Sequence, residues 1–337
     1  MNNATNTSNL LNCTYCFNSS QLHSSVDWNL SLFTVATLTL INSFSCVVGV
    51  LGNGLVLFAI TRNPTLRSVP DYLIYSLSLA DLIVTAVYVP LFIPYIICYQ
   101  ELGSNVSFTM VKSFIGHLAL LASTANIVGI TIDRLISIRW PLKYPKLVTK
   151  KFAFTFISIA WLISAAIATS YAFFEPTHVF LWCYCLSLLL AVILMYSYIL
   201  KVAHTQRKRI QSMRYRDEEH QNQQKAETRV ERKANKTFKD RKAMKTFAII
   251  IGVFVITWIP LLVYTLTVSK SKSWFHEGFL WVESFSLWNS FINPYIYFAR
   301  SKRYRAMALQ MLGLRHWLRT RRINAETTRA ATGSSNC

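Results

Sequence analysis

Acidic residues are scarce in this chain of 337: 15 Asp and Glu stand against 35 Lys and Arg, a net charge of +20. In a soluble protein that excess would suggest a nucleic-acid partner, but its distribution excludes one. The first 32 residues hold no Lys or Arg, and later basic residues gather in a few segments. Also missing is a His-Glu-x-x-His run or any other metal or nucleophile cluster that a membrane enzyme would need, so no enzymatic activity is expected. No inverted internal repeat of the kind that marks many transporters is present, which removes the main support for a channel or transporter. The chain start lacks a basic segment followed by a short apolar run, so the first helix is expected to direct insertion itself.

What is abundant is apolar. Hydrophobic residues make up 53% of the chain and the mean hydropathy is +0.32, values that place those residues against lipid. A helix needs about 20 mostly apolar residues to cross the hydrocarbon core. Seven stretches qualify, centred on Val47, Ile83, Ile127, Ile163, Leu190, Val255 and Ser290. The expected fold is an all-α membrane protein of seven transmembrane helices, at about 34–61, 71–98, 109–139, 152–174, 179–204, 242–267 and 277–299.

Short loops rich in Lys and Arg stay cytoplasmic. All basic residues except Lys112, Lys270 and Lys272 fall on the side opposite the N-terminus, which places residues 1–32 outside the cell. The charge is thus a topology signal, with attraction to anionic membrane lipid added. Asn3, Asn6, Asn12, Asn18 and Asn29 each open an Asn-x-Ser/Thr triplet in that tail, and Asn105 does so in the next outer loop. These six are the expected glycan acceptors. Residues 301–318 alternate basic and apolar side chains, a pattern for an amphipathic helix on the inner leaflet. Residues 319–337 are small and polar and expected to be disordered. Seven cysteines leave at least one unpaired; Cys13, Cys16 and Cys98 lie on the oxidising side and can form one bridge, while Cys183 and Cys185 read as buried small hydrophobes.

An ionisable residue at mid-bilayer costs about 2.5–3.5 kcal/mol on insertion scales and marks a functional candidate. Asp81 is one, with Ser123, Asn126, Asn289 and Asn293 as polar neighbours on other helices. The set can hold a small cation with oxygen ligands, or act as a hydrated knot between helices. Asp133-Arg134 closes the third helix, as an ordinary helix-end pair or as a switch. Pro260 after Trp258, and Pro294 after Asn293, break backbone hydrogen bonds inside long helices and give hinges.

Taken in order, these residues resemble the rhodopsin-like (class A) G-protein-coupled receptors over about residues 33–318. The resemblance rests on Gly52-Asn53, Leu77 to Asp81, Asp133-Arg134-Leu135, Trp161, Tyr196, Thr257-Trp258-Ile259-Pro260 and Asn293-Pro294-Tyr295-Ile296-Tyr297. It implies a plasma-membrane receptor that carries binding of an extracellular ligand to a heterotrimeric G protein by outward movement of helix six about Pro260. Arrestin and a receptor kinase are the further partners. Arg134 would leave Asp133 to meet the G protein, Tyr196 and Tyr297 would hold the open state, and Leu142 would dock into the G protein. Asp81, Ser123, Asn289 and Asn293 resemble the family's sodium site, the one cofactor expected. Asp240 stands where an acid can pair with Arg134 at rest, or it is a solvated charge.

Departures point to a branch. Thr109 stands where most members carry a disulfide cysteine, the second outer loop is short, and Leu188 replaces the usual helix-five proline. Together these resemble the melanocortin, lysophospholipid, cannabinoid and adenosine receptors. Gly116, Leu287 and Thr265 replace residues that bind amines, retinal and adenosine, while Thr109 and Ser113 replace melanocortin-receptor acids. The pocket candidates are Lys112, His117, Glu175, Tyr264, Glu283 and Trp288, with Phe173 and Phe174 beside them. Lys112 sits where lysophospholipid receptors bind a headgroup, so an anionic lipid or small acid is the expected ligand, with a nucleoside or peptide as alternatives. The competing reading pairs Lys112 with Glu283 and leaves no free charge.

Overall fold

The structure is a computed structural model that describes residues 30–173, 178–219, 246–268 and 274–311. Among these residues the chain forms long helices and no strand. They are α1 (Leu32–Arg62), α2 (Val69–Ile97), α3 (Val106–Arg139), α4 (Lys150–Phe173), α5 (His178–Glu219), α6 (Thr246–Thr267) and α7 (Phe275–Arg300), followed by the shorter α8 (Lys302–Met311). The first six contain stretches long and apolar enough to cross a membrane. The seventh has the length, 26 residues, but carries Glu277, Glu283, Asn289 and Asn293.

The outer surface of the bundle differs from that of a soluble protein. Along α1, Leu40, Phe44, Val47 and Leu51 are exposed while Asn42, Ser45 and Asn53 are buried. Such an apolar outer surface suits lipid and not water, and buried amides and hydroxyls hydrogen-bond between helices. One core cluster holds Leu73, Leu77, Ile127, Ile199, Phe254 and Tyr297 toward the basic end. Another holds Tyr88, Phe92, Ile96, Leu280 and Leu287 toward the opposite, pocket end.

Local chemistry sets the helix starts. The Ser31 hydroxyl accepts from the Thr34 backbone N–H at 3.2 Å, and Asn105 Oδ1 accepts from the Phe108 N–H at 3.0 Å; each satisfies an orphan donor of the first turn. The Asn105 cap starts α3 before position 109. At the basic end α5 continues past 204 to Glu219. The apolar signal stops near there, but the Gln, Lys, Arg and Glu residues that follow are good helix formers.

Pro294 removes the N–H that would have bonded the Ser290 carbonyl one turn back. Asn53 of α1 replaces it: its Nδ2 donates to Ser290 O at 2.9 Å. The approach needs Gly52, where a Cβ would stand 2.7 Å from Pro294 Cγ. Trp161 ties α4 to α2 by donating from Nε1 to Ser76 Oγ at 3.0 Å. Where the chain leaves α7, α8 folds back onto the start of α2, and the Tyr304 hydroxyl donates to Asp71 Oδ1 at 3.1 Å.

In the middle of α2 the chain makes a π-helical turn, Val84–Tyr88. Such a turn re-aims every residue after it. Tyr88, Phe92, Tyr95 and Tyr99 then share one face at helical spacing, with ring centroids 5.7, 6.2 and 5.1 Å apart in succession. Cys98 is disulfide-bonded, and its partner lies outside the described residues. Cys185 is buried as expected, but Cys183 is exposed: two positions apart on a helix is about 200°, so the pair cannot share a face.

Candidate functional site

A cavity of about 270 Å³ opens between α2, α3, α6 and α7 at the pocket end. Its walls include Tyr95, Lys112, His117, Tyr171 and Glu283, and its floor includes Trp258. Lys112 is 7% exposed. Its ammonium lies 4.0 Å from Glu283 Oε1 and 3.8 Å from the centre of the Tyr95 ring, with the Phe92 ring 5.1 Å away. A desolvated cation against an aromatic face gains about 2 kcal/mol. Tyr88 donates its hydroxyl to Glu283 Oε1, and Glu283 Oε2 is buried with no hydrogen-bond partner.

Gly116 makes room for this arrangement. A Cβ there would stand 2.5 Å from Tyr88 Cε2, so the missing side chain lets the ring lie against α3. His117 Nδ1 lies 2.6 Å from the Ser113 carbonyl, and its ring packs on Tyr171 with centroids 4.0 Å apart.

Tyr264 and Trp288 fall outside the cavity lining. Tyr264 instead donates to the Phe275 carbonyl at 3.0 Å and ties the ends of α6 and α7. On α7 the lining positions Glu283, Ser286, Leu287 and Ser290 follow helical spacing. Trp288 sits one step round from Leu287, against Phe285 and Phe291. The tyrosines Tyr88, Tyr95 and Tyr171 were missed by the sequence reading. The spacing of Tyr88, Phe92, Tyr95 and Tyr99 carries the signal, since residues at i, i+4 and i+7 share a helix face.

Below the cavity floor lies the buried polar centre. Asp81 is 0% exposed; its Oδ1 accepts from Ser123 Oγ at 3.1 Å and its Oδ2 from Asn293 Nδ2 at 2.9 Å. The Oδ1 atoms of Asn289 and Asn293 are buried without partners. A carboxylate, a hydroxyl and spare amide oxygens are the ligand types a hard cation takes, so these residues fit a sodium ion. Ser123 and Asn289 also border the cavity, which places the centre directly beneath it.

At the basic end, Arg134 Nη2 lies 2.5 Å from Asp133 Oδ2 and its Nε donates to the same oxygen at 2.8 Å. The other oxygen of Asp133 accepts from the Tyr144 hydroxyl at 2.7 Å. Burial, and then the Asp133 carboxylate beside it, push the Tyr144 phenol well above its ordinary range, so it remains a donor at physiological pH. The guanidinium of Arg134 lies 5.1 Å from the centre of the Phe247 ring on α6. Tyr196, Trp258 and Tyr297 are buried in the core between these sites, and Pro260 continues α6 above them. Leu142, in contrast, is 92% exposed. Asp240, Glu175 and the tail asparagines Asn3, Asn6, Asn12, Asn18 and Asn29 lie outside the described residues.

Long helices with apolar outer faces and buried polar residues between them, with a cavity at one end and the Asp133-Arg134 pair at the other, describe a multi-pass membrane protein of the helical receptor class. The chain matches the family described as 7 transmembrane receptor (rhodopsin family) over residues 52–297, and it belongs to that family. It is 34% identical over 134 residues to the muscarinic acetylcholine receptor M3 of Rattus norvegicus, covering 40% of this chain and 23% of that receptor. To the alpha-1A adrenergic receptor of Bos taurus it is 27% identical over 312 residues, 76% of this chain and 63% of that one. To the melatonin receptor type 1A of Phodopus sungorus it is 32% identical over 131 residues, 38% and 36% of the two chains. The aligned parts span less than two-thirds of each of these relatives. None of the three is a melanocortin, lysophospholipid, cannabinoid or adenosine receptor, and the branch reading still rests on residues alone.

Proposed function

We propose that this chain is a plasma-membrane receptor, its N-terminus outside, that reports occupancy of the Lys112 cavity to a heterotrimeric G protein at the basic end. The observation that carries the reading is the course of α6. One helix bears Trp258 at the cavity floor and Phe247 against Arg134, about 16 Å further along at 1.5 Å per residue. A ligand that displaces Trp258 moves a rigid lever whose other end holds Arg134.

At rest, Asp133, Tyr144 and the Phe247 ring fix the guanidinium. Outward movement of α6 about Pro260 removes the ring and opens a cleft at the basic end. Arg134 then turns to the G protein, Tyr196 and Tyr297 move into the space, and exposed Leu142 docks beside them. Asp240 would add a resting contact to Arg134. Arrestin and a receptor kinase would meet the same face. A sodium ion held by Asp81, Ser123, Asn289 and Asn293 would supply the positive charge that stabilises the resting state. Lys112 in the cavity wall is the residue behind the anionic lipid or small acid expected from the sequence, but Glu283 beside it cancels that charge and favours a ligand that is neutral overall.

The test is nucleotide exchange on each class of heterotrimeric G protein, in membranes bearing the wild-type chain or Arg134→Ala at equal surface expression. Basal or ligand-stimulated exchange by the wild type is expected to fall by at least about tenfold in the variant, a barrier change of ~1.4 kcal/mol. Exchange on no class, with or without a lipid, nucleoside and peptide library, refutes the coupling.

A further inference from the structure

The cavity holds two opposite charges side by side, and both have capacity left over. At 4.0 Å, Lys112 Nζ and Glu283 Oε1 attract each other from beyond hydrogen-bonding range. Aromatic rings hold the ammonium in place without accepting its protons as an oxygen would. Glu283 Oε1 has its donor in Tyr88, whereas Oε2 is buried with none. Both side chains line the cavity.

The charges of the pair sum to zero, and this restricts what can join them. An acid on Lys112 alone, or an amine on Glu283 alone, would leave a net charge in a buried site, where uncompensated charge is costly. A molecule bearing both charges a few ångströms apart leaves the site neutral and uses both spare valences. The cavity of about 270 Å³ lies below the range of roughly 300–1,000 Å³ for drug-sized ligands, so the molecule must be small. The same cavity is lined by the apolar side chains of Phe254, Trp258, Leu261 and Phe279.

We propose that the cavity binds a small zwitterion of the α-amino-acid type. Its ammonium donates to Glu283 Oε2, its carboxylate accepts from Lys112 Nζ, and an apolar side chain packs against Trp258. The inference rests on the receptor reading only in taking this cavity as the ligand site; binding can be measured with no G protein present.

The experiment is thermal unfolding of the purified full-length receptor in detergent with each free L-amino acid at millimolar concentration. Phenethylamine and 3-phenylpropanoate serve as single-charge counterparts of L-phenylalanine. At least one amino acid with an apolar side chain is expected to raise Tm by ~2 °C or more, and the single-charge compounds to raise it less. Lys112→Met or Glu283→Gln should raise the half-saturating concentration about tenfold or more. The exchanged variant Lys112→Glu/Glu283→Lys should keep binding, because a zwitterion can turn round; it guards against a single variant that fails to fold. No shift with any amino acid, an equal shift with a single-charge compound, or undiminished binding by Glu283→Gln overturns the proposal. Nucleotide exchange on the same preparation separates the two readings: exchange without a Tm shift sinks the ligand class, and a Tm shift without exchange sinks the coupling.

Discussion

Each end of the bundle buries a charge pair, and the two pairs are built differently. Asp133 and Arg134 are sequence neighbours, in contact at 2.5 Å, with Tyr144 on the second carboxylate oxygen. Lys112 and Glu283 come from different helices, stand 4.0 Å apart and leave Oε2 without a donor. In the first pair both carboxylate oxygens of Asp133 are occupied by side chains of the chain itself. The second lines a cavity and keeps one buried carboxylate oxygen without a donor, the acceptor the proposed zwitterion would use. A buried group with an unmade hydrogen bond is unfavourable unless something fills it, and that difference underlies the proposal that one end acts as switch and the other as receiver.

Removing one partner should affect the open pair most. Glu283→Ala strands a buried ammonium, and loss of about 3 kcal/mol of stability is expected, read as a lowered Tm in detergent. Lys112→Met/Glu283→Met should recover most of it, since replacing both charges removes the desolvation cost. If the double variant is no more stable than Glu283→Ala, the two residues do not act as a pair.

Between the ends, Asn53→Ala uncovers the Ser290 carbonyl beside Pro294, at a cost of about 1–3 kcal/mol. Since Asn53 lies between the two sites, its loss should lower Tm while leaving the contrast between the charge pairs intact; an unchanged Tm would mean the carbonyl has another donor.

The saturated pair should show the smallest change. Tyr144→Phe removes one of the bonds on Asp133, worth about 1.5 kcal/mol for a charged acceptor. Basal nucleotide exchange should rise up to about tenfold, with a fall in Tm no larger than that of Asn53→Ala. Unchanged basal exchange would remove Tyr144 from the restraint on Arg134.

Much of the molecule was legible before any coordinates. Hydropathy over a window of one helix is a local property, and it marked the long helices, six of which are apolar enough to cross a membrane. The Asp133-Arg134 pair was legible for a similar reason, since the two residues are adjacent, and Asn293-Pro294 carries its own backbone defect. Where the reading fell short, the missing quantity was helix phase. The π turn at Val84–Tyr88 decides which way the aromatic face of α2 points, and nothing in the sequence announces it strongly. Trp288 was assigned to the cavity on residue type, yet its neighbours Leu287 and Ser290 line it while Trp288 does not.

The sequence by itself determined a seven-helix receptor bundle, the chemical types available to each site and the adjacent Asp133-Arg134 pair, because periodicity, hydropathy and nearest-neighbour chemistry are written within single helices. Only the tertiary structure decided that Lys112 meets Glu283, that Asn53 covers the Ser290 carbonyl and that Gly116 admits Tyr88. Those contacts depend on how separate helices are rotated and spaced against one another, and the packing of the whole bundle sets that.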